Sequence, residues 1–94
     1  MPVFQKYNIS VSVVTTSGFV DVMPNCNSWM VTNTGADTVE VNGMTLFPGT
    51  VGSILGDSKT IGGNQGEVYT GNIKVAFLTT VNPRLEIVQK TLVT

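Results

Sequence analysis

Apolar and polar residues alternate with period two along much of this chain, which is the spacing of a strand with one covered face. Within residues 3–14, Tyr7, Ile9, Val11 and Val13 fall on one face and Asn8, Ser10 and Ser12 on the other. This predicts a half-buried strand with the apolar set facing a core. Thr15-Thr16-Ser17-Gly18 is a turn cluster. Residues 19–23 form a second short strand, stopped by Pro24, and residues 24–27 a loop that includes Cys26. Residues 28–33 form a third strand, with Trp29 and Val31 on one face and Met30 on the other. Residues 33–37 turn the chain back.

The segment Thr38-Val39-Glu40-Val41-Asn42-Gly43-Met44-Thr45-Leu46-Phe47 predicts a β-hairpin. Asn-Gly supplies the two positive φ angles of a type I′ turn. A two-residue loop then dictates the register: Val41 opposite Met44, Glu40 opposite Thr45, Val39 opposite Leu46. Apolar meets apolar and polar meets polar, so local turn and wider pattern agree.

Pro48-Gly49 makes a further turn, residues 50–55 another short strand, and residues 56–66 a flexible Gly-rich connection. Residues 67–80 hold a long strand with Tyr69, Ile73, Val75 and Phe77 on one face and a bulge at Gly71. Val81-Asn82-Pro83 breaks it. In residues 84–93, Leu85, Val88 and Leu92 could form a helical stripe. The β-branched content favours a strand instead, bulged near Ile87-Val88.

Seven to eight short strands with turns every eight to twelve residues predict an all-β fold. The expected form is a small antiparallel β-sandwich, jelly-roll or Ig-like, built as one domain over residues 1–94. The 15 valines and 13 threonines among 94 residues point the same way, because β-branched side chains suit a pleated surface.

Charge changes the picture. Only 12% of residues are charged, and 30 are Ser, Thr, Asn or Gln. A surface this poor in charge is expected to be partly covered in an assembly, since interface cores are depleted in Lys, Glu and Asp. A net charge of −1, with five scattered basic residues, argues against nucleic acid as a partner. No run of 18 apolar residues suggests a membrane span, and the N-terminus does not read as a secretory signal.

The chain has no histidine, which removes Ser-His and Cys-His nucleophile arrangements and the commonest zinc ligand. The lone Cys26 excludes an internal disulfide, and its asparagine neighbours offer nothing that would activate a thiol. Gly56-Asp57-Ser58-Lys59-Thr60 lacks the glycine directly before Lys that a phosphate loop needs. Asp21, Asp37, Glu40, Asp57, Glu67 and Glu86 make no dense calcium loop. The expectation is a non-enzymatic protein without a cofactor. Trp29, Tyr7 and Tyr69 are the candidates for ligand or subunit contact. Each has aliphatic neighbours on its own face, so core or subunit packing competes with an aromatic platform for carbohydrate.

The stretch Trp29-Met30-Val31-Thr32-Asn33-Thr34-Gly35-Ala36-Asp37-Thr38-Val39-Glu40-Val41-Asn42-Gly43-Met44-Thr45-Leu46-Phe47-Pro48-Gly49 resembles small structural proteins encoded by bacteriophages, notably those of Bacteroidetes hosts. These tend to carry an N-T-G … V-x-V-N-G … L-x-P-G run and a later Gly-rich loop leading into a hydrophobic strand, which Ile73-Lys74-Val75-Ala76-Phe77 fits. The resemblance spans residues 29 to 77. It implies a virion protein assembled in the host cytoplasm, such as a capsid decoration or head-fibre-associated subunit. Its partners would be copies of itself, as a homo-oligomer, and other virion proteins. No functional residue carries over, because such families have no catalytic motif. A carbohydrate- or ligand-binding module is the alternative.

Overall fold

In the computed structural model, which describes residues 7–49, 55–64 and 67–93, the Asn42-Gly43 hairpin forms in the expected register. Strands β4 (Val39–Val41) and β5 (Met44–Leu46) pair Val39 with Leu46, Glu40 with Thr45 and Val41 with Met44. Asn42 and Gly43 have φ of 49° and 83°, the left-handed pair that a type I′ turn requires. The Asn42 side chain also anchors the turn to its neighbour, because the Lys74 N–H donates to Asn42 Oδ1 at 2.8 Å.

Six further strands complete the described fold: β1 (Tyr7–Val14), β2 (Gly18–Asp21), β3 (Cys26–Asn33), β6 (Ser58–Gly62), β7 (Asn72–Phe77) and β8 (Leu85–Leu92). They make two four-stranded antiparallel sheets, ordered β1-β8-β3-β6 and β2-β7-β4-β5. The pairs β1–β8, β2–β7, β3–β6 and β4–β5 nest within one another along the chain. The molecule is therefore one long hairpin rolled into a two-layer sandwich, which is jelly-roll connectivity rather than an Ig-like one.

Alternation places the core. Trp29 and Val31 of β3, Leu85 and Ile87 of β8, Val39 and Val41 of β4, and Ile73 and Val75 of β7 are buried between the layers. The last strand is extended and alternates buried and half-buried residues throughout, so the helical stripe does not form. Its pairing runs without interruption through Ile87 and Val88. The register shift lies instead on β3, where Asn27 is the extra residue between Cys26, opposite Thr91, and Ser28, opposite Lys90.

Three other expectations need correction. Residues 58–62, assigned to a flexible connection, are the edge strand β6. They pair with β3 through the 28–62, 29–61 and 30–60 partners. The strand expected over 67–80 is shorter. Tyr69 makes an isolated bridge to Cys26, Gly71 turns at φ 100°, and β7 begins at Asn72. Cys26 opens a strand and is fully buried, where a loop was expected. The strand expected over 50–55 lies mostly outside the described residues, as does the start of the first strand.

A further correction concerns which way β1 faces. Its apolar set is turned away from the other sheet: Ile9, Val11 and Val13 are 61%, 58% and 48% exposed. Asn8, Ser10 and Ser12 are on the inner side, opposite Thr91, Gln89 and Ile87 of β8. The second sheet is too small to cover that inner side. β2 has four residues, β4 and β5 three each and β7 six, against eight in β1, β3 and β8 and five in β6. Beyond the apolar core the inner surface becomes polar. There Gln89 Oε1 accepts from the Met23 N–H at 2.8 Å, and Thr91 Oγ1 donates to the Asn8 carbonyl at 3.4 Å.

Candidate protein-interaction face

The outer face of the β1-β8-β3-β6 sheet is built from rows that cross the strands. Paired residues in a ladder project to the same side. Val11, Val88, Met30 and Thr60 therefore form one row, Ile9, Lys90 and Ser28 the next, and Val13, Glu86, Thr32 and Ser58 the one on the other side. Tyr7 and Leu92 extend the face at one end. The middle row is apolar across three strands, and Met30 in it is 37% exposed. Glu86 and Lys90 are the two charged residues that the described strands place on this face.

The outer face of the second sheet is different. Asp21, Lys74, Glu40 and Thr45 occupy it, with Phe19 as its exposed large apolar residue. That is the ordinary composition of a solvated sheet surface. Among the described residues, the first face thus carries a continuous apolar row with two charges flanking it, the second three charges and one large apolar residue. A contiguous exposed apolar row is a candidate contact surface.

The edges differ as well. β1, at one end of the larger sheet, is eight residues long with neither a charge nor a proline. Edge strands usually carry such residues to prevent pairing with other chains. The opposite edge, β6, carries Lys59, and Gly62 there has φ 83°.

The residues singled out from sequence separate into different roles. Trp29 is 5% exposed and belongs to the core, so its ring offers no platform for a sugar or a subunit. Tyr7 is half-buried on the outer face, with Lys90 Nζ 4.4 Å from its ring centroid, a cation–π arrangement. Tyr69 is half-buried at the other side of β3, and its hydroxyl donates to Glu67 Oε2 at 2.6 Å. That bond holds the Tyr69 hydroxyl above its usual pKa and the Glu67 carboxyl below its own. The structure does not bring the three aromatics together in one site.

The other polar groups with interior positions are ties between loops. Asp37 is fully buried, and its carboxylate accepts from the Thr79 hydroxyl, the Val81 N–H at 2.9 Å and the Asn82 N–H at 2.6 Å. Burial opposes its charge, but these three donors outweigh burial and hold the carboxyl below its ordinary range. Asn33 Nδ2 donates to the Asp37 and Leu46 carbonyls at 2.8 and 3.1 Å, and Asn27 Nδ2 to the Asn64 and Glu67 carbonyls at 2.8 and 2.9 Å. Burial pushes the Cys26 thiol upward, away from the reactive thiolate, and it donates to the Ser28 carbonyl at 3.2 Å. Among the described residues no three Asp, Glu or Cys side chains gather as a metal site, and no helix is long and apolar enough to cross a membrane.

Sequence reasoning found the low charge but not the face. The signal was present in the alternation of β1, where an apolar set was equally compatible with an inward or an outward orientation. No family model, no curated protein and no solved structure matches this chain.

Proposed function

We propose that this chain is a non-enzymatic structural or assembly protein of a virion, a capsid decoration or head-fibre-associated subunit acting through protein–protein contacts. The observation that carries the contact function is the outward orientation of Ile9, Val11 and Val13 on an uncharged eight-residue edge strand. Fully covering one such side chain contributes roughly 1.5–3 kcal/mol. About half of each is still exposed, so a partner seated here gains on the order of 3 kcal/mol from these three residues alone. The resemblance of residues 29–77 to phage structural proteins supports the virion setting. Jelly rolls serve in capsid and lectin domains alike, so the fold does not choose between them. The burial of Trp29 leaves Tyr7 and Tyr69, which share no site and are each already engaged with Lys90 or Glu67, as the aromatics for the carbohydrate alternative, which weakens that reading.

Co-sedimentation with purified capsid shells of phages of Bacteroidetes hosts, stripped of accessory proteins, tests this reading. The wild-type chain should pellet with the shells in a saturable way, and Val11→Asp, which changes an exposed side chain, should abolish pelleting while leaving the β circular dichroism spectrum intact. Failure of the wild-type chain to bind would remove the virion assignment.

A further inference from the structure

We propose that the outer face of the β1-β8-β3-β6 sheet docks on the same face of a second copy of this chain, across a two-fold axis that runs along the Val11–Val88–Met30 row and sets Glu86 of each copy against Lys90 of the other. The proposal rests on the reading that this face is a protein contact, and it names the occupant.

The arrangement of charge selects a second copy. Glu86 and Lys90 lie on β8 two residues either side of Val88, one acidic and one basic, and the two are the charged residues that the described strands place on this face. Rotation about the Val11–Val88–Met30 row reverses strand direction between the copies. The Glu86 position then faces the Lys90 position twice, once on each side of the axis. The same rotation sets Ile9 against Val13, Ser28 against Thr32, and Val11, Val88 and Met30 each against itself. Apolar meets apolar, polar meets polar, and both charges find an opposite. An isologous contact requires this self-complementarity.

The other in-plane two-fold fails. An axis parallel to the strands would keep each row opposite itself and set Glu86 near Glu86 and Lys90 near Lys90. Like charges brought together in an interface are a strong penalty. Pairing of two β1 edges in one continuous sheet would satisfy their backbone groups but leave Ile9, Val11 and Val13 in water. Face-to-face docking covers them.

The dimensions are compatible. Packed sheets cross at about 30° and lie about 10 Å apart. Glu86 and Lys90 are about 7 Å along β8 from the axis, so the crossing displaces each pair sideways by only about 3 Å, within reach of both side chains. The Lys90 ammonium is already drawn over the Tyr7 ring on this face. A face roughly 25 Å by 15 Å offers about 375 Å² per copy, less than half of the roughly 800 Å² per partner of a standard stable interface, so the pair is a weak, transient one. The expected dimer therefore dissociates in the micromolar range.

Sedimentation equilibrium on the full chain provides the test, with three charge variants. The wild-type chain should move from monomer to dimer between low and high micromolar concentration. Glu86→Lys gives a face with two cations and Lys90→Glu a face with two anions. Each should weaken the dimer at least tenfold. An equimolar mixture of the two should form a heterodimer within about threefold of wild type, and the E86K/K90E double variant should recover self-association.

A wild-type chain that stays monomeric at high micromolar concentration overturns the proposal, as does a dimer indifferent to both reversals. Shell binding keeps the underlying reading separate. A monomer that still binds capsid shells, and loses them on Val11→Asp, refutes the two-fold pair alone. Charge-dependent dimers whose monomers, at concentrations below dimerisation, still bind no shell support the pair and refute the virion assignment.

Discussion

The backbone N–H of Asn82 donates to the carboxylate of Asp37 at 2.6 Å, joining positions 45 residues apart. With the Val81 N–H and the Thr79 hydroxyl on the same carboxylate, Asp37 ties the loop after β3 to the loop before β8. The folded carboxyl is held below the unfolded value near 3.8. A depressed acid contributes stability above its unfolded pKa and loses it as pH falls through the folded one. Asp37→Asn should lower the urea midpoint at pH 7, because the charge is lost and the amide nitrogen sets a donor against at least one of the donors that the carboxylate now accepts from. The gap between variant and wild type should narrow below about pH 4, where the unfolded acid protonates, and close once the folded carboxyl is protonated too. A gap that is constant from pH 7 to pH 2 would show that the tie does not depend on the charge.

Gly43 occupies the second positive-φ position of the β4–β5 turn, at 83°. A Cβ there meets nothing within 4 Å, so any cost of substitution comes from the backbone and not from crowding. Gly43→Val should destabilise by about 1–3 kcal/mol, the usual strain for a β-branched residue in this region. Urea denaturation would read it as a lower midpoint with unchanged slope. An unchanged midpoint would mean that the turn relaxes to another type.

Trp29 and Val11 project from the same sheet in opposite directions, one at 5% and the other at 58% exposure. Trp29→Ala should cost about 3–5 kcal/mol of stability, as for a large side chain removed from a core. Val11→Thr should stay within about 0.5 kcal/mol in the monomer. Denaturation at low protein concentration separates the two. A mild effect at Trp29 would place its ring outside the packed interior.

Local rules were legible from the sequence alone. The β4–β5 register follows from two residues, Asn42 and Gly43, because a two-residue loop admits one set of partners. The alternation that buries Trp29 and Val31 but not Met30, and Ile73 and Val75 but not Lys74, is a property of strand geometry and needs no distant information. Tertiary structure decided the rest. Ser58 to Gly62 carries little apolar signal and is a strand because β3 offers it an open edge. The donors that hold the Asp37 charge come from residues more than forty positions away. Above all, period two says that β1 has two unlike faces, but not which one meets the second sheet. That depends on where a four-residue β2 and the three-residue β4 and β5 run out: beyond their reach the inner side of β1 is polar, and its apolar row is turned to the outer face.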